Sequence, residues 1–457
     1  MKLTRKQVLA GAAVGAVGAA GIYELVDQLS GGSPQRTASG KLLPEQHLLD
    51  GIRIVQSNSV EVLVPPLHHE ILTARVVAGR SDLRDAQSSL EQVLTGLEAD
   101  YAPTPAGLGV TAAWGLPYFR RLTPDALQRY LPHDRRAAKP VLFDAHRFPS
   151  DPGDTRLESN DVAFLIRSDV RAHIDDATKR LRDSKLFELT SIRRGFAGGG
   201  FDGARSLPKQ MAEAAQIPGA DLIPETSELF LGFTSTQKAG MGPGAIANFE
   251  TLGYVDFRGS EYFHQGTHMH LSHIHEDVEA WYLNFDFDER VATAFRPNLN
   301  VKQDTQTVRQ GPQDVSTEAD VHRDYRRSGR IGHSAAIQTT SRLERDTVVG
   351  DGTVYPKGTA IPVRADFNTL DNPFMWSVRA DEIGAVPAAG VHFVVFNPTG
   401  DDFRRNRLAM DGVLPDGKIA FTARDRNQGF NSILSTTHRQ NYLVPPRRHR
   451  SFPLAEL

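Results

Sequence analysis

Between residues 60 and 196 the chain alternates two kinds of hydrophobic spacing, and that alternation limits its fold more than any other feature. The runs VEVLVP (60–65), ILTARVV (71–77), GLGVTAAW (107–114) and DVAFLIR (161–167) are short and apolar and read as strands. Between them, residues 81–97 place Leu83, Leu90, Val93, Leu94 and Leu97 at helical spacing, and residues 170–181 read as a second helix. Residues 191–196 and ELFLGF (228–233) follow on either side of a Gly-rich loop. Two adjacent strands between helices are the pattern of a split β-α-β unit of ferredoxin-like type. The second half repeats the theme loosely. Residues 266–275 read as a strand running into a helix over 276–283, 360–364 as a short strand, VHFVVF (391–396) as a strong one, and 401–408 as a helix start. The stretches 296–330 and 345–360 are polar and read as irregular loops. A chain of 457 residues has room for two or three domains, and two related halves would divide near residue 236.

The totals exclude several function classes. There is no cysteine, so disulfides, thiolate metal sites, cysteine nucleophiles and a lipoprotein anchor are ruled out. A net charge of -3 gives no reason to expect a nucleic-acid partner. The basic run Pro446-Arg447-Arg448-His449-Arg450 is short and reads as a solvated tail. At the N-terminus, Lys2, Arg5 and Lys6 precede an apolar, Gly/Ala-rich run over 8–22, the pattern of an export signal. Thr4-Arg5-Lys6-Gln7-Val8-Leu9 is similar to the twin-arginine export motif, with Lys6 in the place of the second arginine. No A-x-A cleavage site is visible, so the segment can also stay as a membrane anchor, and 31–42 reads as a linker.

Three stretches carry candidate chemistry. FHQGTHMHLSHIHED (263–277) holds His264, His268, His270, His273 and His275, five of the sixteen histidines. A strand alternates faces, so His268 and His270 point one way while His273 and His275 point the other. Each face then offers two imidazoles, and a zinc or copper site needs donors from other segments. The competing reading is a strand with one solvated or loop-covered face, its histidines paired with Glu276, Asp277 and Glu279. GGGFDGARS (198–206) lacks the Lys-Ser/Thr of a phosphate loop and reads as a flexible loop carrying Asp202. GRIGHSAAIQTTSRLERD (329–346) carries His333, which is either a packed histidine or a ligand.

Several segments, in order over residues 55–410, resemble the dye-decolorizing peroxidase superfamily, whose members bind haem. PAGLGVTAAWG (105–115) resembles its P-x-x-L-x-V-x-x-G-x-G strand, and NDVAFLIRSDVRAHIDDATKRL (160–181) its next strand and helix. ELFLGFTST (228–236) stands where the family has a L-x-G-F-x-D-G loop. QGTHMHLSHIHEDVEAW (265–281) resembles its G-G-S-Y-L-V strand, IPVRADF (361–367) its I-L-R strand, and VHFVVFNPTGDDF (391–403) its last core strand and helix. The resemblance implies an α+β fold of tandem ferredoxin-like domains, of the dimeric α+β barrel type with antiparallel sheets. Residues 1–40 would then be the export segment and linker, 41–236 the N-terminal domain, and 237–457 the haem-binding domain. It implies haem b, with His333 as the iron ligand and His322 as runner-up, both upstream of Arg364. Arg364 matches the family's distal arginine, a fixed cation for the splitting of hydrogen peroxide. The family's distal aspartate is replaced by Ser235, which leaves Asp366 and Asp202 as candidate carboxylates. The expected function is an exported haem peroxidase acting on hydrogen peroxide and an unknown reducing substrate, with Trp114, Trp281 and Trp376 as relay candidates. The rivals are a non-catalytic haem or iron protein of the same fold and a haem-free metal binder using residues 264–275. An oligomer is compatible with all three.

Overall fold

The first strand-helix-strand pattern folds as its spacing predicts. In order, β1 (His68–Val76), α1 (Leu83–Asp100), β2 (Gly109–Gly115), β3 (Val162–Ser168), α2 (Arg171–Asp183) and β4 (Phe187–Phe196) form a ferredoxin-like unit. Its strands lie in the order β4-β1-β3-β2, all antiparallel. One face of α1, with Leu83, Ala86, Leu90, Leu94 and Leu97 at i, i+3, i+4 spacing, is buried against Leu72, Phe164 and Ile166. The computed structural model describes residues 19–30, 40–57, 60–134, 138–199, 206–233, 261–303, 316–343, 346–348, 354–355, 357, 360–374, 386–415, 417 and 429–457.

The second half builds the same unit with more helices between its strands. It comprises β5 (Thr267–Glu276), α3 (Val278–Asn284), α4 (Phe287–Ala294), α5 (Glu318–Ser328), α6 (His333–Ser341), β6 (Phe367–Thr369), β7 (Gly390–Asn397), α7 (Gly400–Met410) and β8 (Leu434–Val444). Its strand order is β6-β7-β5-β8. The two sheets join at both edges: β6 meets β4 at Asn368↔Phe196, and β8 meets β2 at Tyr442↔Gly115 and Leu443↔Trp114. The result is a closed barrel of eight strands, which leaves none of the eight as a free edge. Ile71, Leu165, Met269, Leu271, Val394 and Phe396 fill it, while α1 and α2 cover one sheet and α7 packs on β5 and β7 of the other. The fold is therefore the expected α+β barrel of two ferredoxin-like units. The expected division near 236 falls outside the described residues.

Four local expectations change. ELFLGF is a buried turn rather than a strand; Gly232, at φ +86°, reverses the chain and drives Phe230, Leu231 and Phe233 into the core. The supposedly irregular stretch 296–330 contains α5, started by a Thr317/Asp320 capping box and ended by Gly329 at φ +67°. Within 345–360, Thr347–Val348 pairs with Val354–Tyr355. The C-terminal basic run is no solvated tail, since Arg447 and Arg450 both bond Glu98 of α1, and Arg450 also bonds Glu91 at 2.9 Å. At the N-terminus, residues 1–18 and 31–39 lie outside the described residues. Ile22, Tyr23 and Val26 are buried in the fold, and no described helix is long and apolar enough to cross a membrane.

Candidate functional site

The histidine-rich strand is β5, and the pleat splits its imidazoles as expected. Met269 and Leu271 enter the barrel, and His268 and His270 face α7. His270 stacks on Phe403 at 3.5 Å, and its ring nitrogens bond Asn441 (2.7 Å) and Ser272 (2.6 Å). His268 is buried with neither ring nitrogen partnered, and burial pushes it down to about 3. His273 lies on the barrel face beside His392, with ring centroids 4.3 Å apart. The strand thus has no solvated face. His264 is exposed beyond its start and His275 is half-buried at its end. The expected acidic partners do other work. Asp277 caps α3 by accepting from Ala280 N–H at 3.0 Å. Glu276 is buried with Oε2 unpartnered, and burial, with Asp366 nearby, raises its carboxyl to about 8. Among the described residues no group of three or more His, Asp or Glu could hold a metal ion.

His333 opens α6 at a tight corner. Gly329 ends α5, and Gly332 presses the start of α6 against Phe295, whose carbonyl carbon and oxygen leave no room for a Cβ at Gly332. Ala335 N–H then bonds Phe295 O at 2.9 Å. The corner borders a cavity of about 360 Å³ walled by Phe285, Tyr325, Ile331, His333, Met410 and Phe430, with Arg330 and Asn431 among its polar groups. Phe430 meets the His333 ring edge-on at 5.1 Å and stacks on buried Trp281 at 5.3 Å. Burial, then the guanidiniums of Arg364 and Arg407, push the His333 imidazole down to about 3, so it is neutral at pH 7. Arg407, on α7, is held by Asp411 (2.9 Å) and Asp151 (3.1 Å).

The structure gathers some of the expected residues and not others. Arg364 lies on the short strand Val363–Arg364, paired to β7 opposite Val395, and its charge reaches both His333 and Asp366. Burial raises the Asp366 carboxyl against the pull of Arg364. Neither residue is among the described groups lining the cavity, and neither is His322, on α5. Ser235, Asp202 and Trp376 lie outside the described residues. Phe233, two residues before Ser235, packs on Phe287 (6.2 Å) and Phe295 (5.1 Å) in the aromatic cluster that also holds Phe285 and Phe430. The wall residues Phe430, Tyr325 and Arg330 had no signal in the sequence, and Glu276 read as an acidic partner for the strand's histidines.

A family model described as "Family of unknown function (DUF7405)" matches residues 66–446, most of the chain. The chain belongs to DUF7405. Among proteins of curated function none matches it. Among solved structures, this DUF7405 chain is similar to a DyP-type peroxidase from Cellulomonas bogoriensis, with a TM-score of 0.50 and 15% identity over 89% of this chain and 96% of that one. The encapsulated DyP-type peroxidase from Mycobacterium smegmatis follows at 0.49 and 12%, over 85% and 95%. A variant of Rhodococcus jostii RHA1 DypB in complex with heme gives 0.48 and 12%, over 85% and 96%. At such identities the likeness is one of fold, and on the first of the three this DUF7405 chain has the fold of the DyP-type peroxidases.

Proposed function

We propose that this DUF7405 protein binds haem b in the cavity beside His333, reduces hydrogen peroxide there and oxidises an unknown one-electron donor. The observation that carries the reading is a neutral imidazole on the wall of a largely aromatic and aliphatic cavity. Its volume of about 360 Å³ falls in the range of roughly 300–1,000 Å³ common for cofactor and ligand sites. The donor set fits haem: one imidazole for the iron, apolar rings for the macrocycle, and Arg330 and Asn431 for polar edges. When bound, haem supplies the redox-active iron. His333 needs no deprotonation to donate a lone pair to it. Arg364 contributes a fixed cation whose field favours developing negative charge. Glu276 holds a proton near neutral pH, beside Asp366.

One observation favours a second reading, a haem-holding protein without peroxide turnover: the described cavity wall includes neither Arg364 nor Asp366. Export by the twin-arginine route, with residues 1–40 as signal or anchor plus linker and 237–457 as the haem-holding domain, belongs to the same proposal. It is supported by the basic and then apolar N-terminus. The test is the absorption spectrum of protein expressed with ample haem. A Soret band lost in His333→Ala and kept in His322→Ala supports the ligand assignment, and peroxide turnover by the same sample separates the two readings. No Soret band in the wild type removes both.

A further inference from the structure

The cavity beside His333 carries its charge at one point. Among the described residues that line it, Arg330 is the one ionised side chain, because His333 is neutral and no carboxylate is among them. The other described side chains of the wall are aromatic, aliphatic, hydroxyl or amide. A single cation on such a wall favours a ligand that is apolar over most of its area and anionic at one edge.

The backbone of Arg330 is pinned at the cavity rim from both sides. Gly329, at φ +67°, ends α5 with its N–H on Tyr325 O at 2.8 Å. Gly332 is pressed against the Phe295 backbone, whose oxygen also accepts from Ala335 N–H at 2.9 Å. The freedom left to Arg330 is therefore in its side chain. Its guanidinium donates to Glu289 Oε1, on α4, at 3.3 Å, with the two side chains 40% and 41% exposed. That is longer than the roughly 2.7–2.9 Å of a strong charge-assisted bond, and an ion pair so exposed contributes little. The other Glu289 oxygen, Oε2, accepts from Asp286 N–H at 3.2 Å and completes the capping box of α4. The neighbouring acid Asp324, on α5, is taken by Arg296 at 3.0 Å. The cation at the rim is thus held by one oxygen of one acid, and a better anion can replace it.

We propose that Arg330 is the carboxylate anchor of this cavity and Glu289 its built-in competitor, so that the guanidinium leaves Glu289 for the carboxylate of a planar aromatic ligand and returns when the site empties. The proposal rests on the haem reading and deepens it, since haem b is a flat macrocycle with carboxylates on one edge. A free aromatic acid offers the same chemistry. A guanidinium can meet a carboxylate with two parallel N–H donors, whereas its contact with Glu289 reaches one oxygen, so the exchange gains a hydrogen bond. Glu289 lowers the affinity by holding the guanidinium and by leaving a like charge beside the bound anion.

The test titrates full-length, haem-free protein with metal-free protoporphyrin IX and with its dimethyl ester, both in the same dilute detergent, followed by porphyrin fluorescence. Without iron, the His333 imidazole contributes no bond to a metal, and the carboxylate is read alone. Arg330→Gln should weaken the diacid by roughly tenfold, the loss of a hydrogen bond to a charged group, and leave the diester unchanged. Arg330→Lys should recover part of that loss, as a charge without the fork. Glu289→Gln keeps an oxygen for the capping box and should tighten the diacid by about 2–5-fold, the worth of an exposed ion pair. 2-Naphthoate separates the two sources: Arg330-dependent binding of 2-naphthoate without binding of the diacid assigns the site to a free aromatic acid. Equal affinity for diacid and diester, Arg330→Gln without effect, Glu289→Gln that weakens binding, or no binding of either acid would overturn the proposal. A His333-dependent Soret band alongside those results leaves the haem reading standing without this one. Arg330-dependent binding of the diacid with no Soret band does the reverse.

Discussion

Replacing Tyr23 by Phe isolates one hydroxyl that ties the N-terminal segment to the barrel. That hydroxyl donates to Asp371 Oδ1 at 2.8 Å, accepts from Leu370 N–H at 3.0 Å, and lies 3.1 Å from Thr369 Oγ1. Phe keeps the buried ring and removes all three contacts. Thr369 still donates to Arg194 O at 2.7 Å, and Asp371 keeps its bonds to Arg194 and His392 through Oδ2. The loss therefore falls on the Leu370 N–H and on one carboxylate oxygen. Each unsatisfied buried group costs about 1–3 kcal/mol, so the variant should lose about 2–6 kcal/mol. At roughly 1 °C per kcal/mol for a chain of this size, Tm should fall by about 2–6 °C in a thermal scan followed by far-UV circular dichroism. Deleting residues 1–30 should cost more, because Ile22, Tyr23 and Val26 each bury about 1.5–3 kcal/mol of apolar surface. Mature protein should accordingly begin at or before Ile22 when its N-terminus is sequenced. A Tyr23→Phe Tm within 1 °C of wild type would show that the segment does not dock as described, and a mature N-terminus beyond Val26 would do the same.

Glu276 gives a pH signature. Its carboxyl is raised to about 8 in the fold against roughly 4.3 unfolded, so the folded state holds the extra proton. The stability this group contributes is full below about pH 4 and is lost as pH rises towards 8; Glu276→Gln should gain stability over wild type at pH 8.5 and match it near pH 4.5. Equal Tm differences at the two pH values would contradict that assignment. Glu98→Gln removes the shared partner of Arg447 and Arg450 and, being partly exposed, should cost about 1–3 kcal/mol by urea unfolding. No loss there would return the C-terminal run to the role of a tail.

Much of the architecture was legible because its signals are local. The i, i+3, i+4 spacing of α1 and the apolar runs of β1, β3 and β7 are set by burial on defined faces, and each forms where its spacing predicts. β8 left no such trace. Its inward positions include His438, Gln440 and Tyr442, and its outward ones Arg439 and Asn441, so a strand buried from Thr436 onward reads as polar. α5 is hidden for a related reason: EADVHRDYRRS buries only Val321 and Asp324, so its Thr317 and Gly329 stops flank a segment with no apolar stripe. The cavity at His333 was beyond reach, because its wall comes from α3 to α7 and residues 429–432, which meet only once the barrel has closed.

The histidines show why strand alternation was sound and still insufficient. Taken alone, β5 offers each face too few imidazoles for a metal ion, and that count is correct for a single strand. A barrel changes the arithmetic, because a residue's nearest side-chain neighbours are those directly across the ladder rather than those along its own strand. His273 gains His392 from 119 positions downstream and His438 from 165, distances over which a single sequence carries no register. On the other face, α7 lies over His268 and His270, with Phe403 stacked on His270 and Gly400 close to His268. The same strand thus has one face covered by a helix and one whose His273 lies across from the imidazoles of its two neighbours.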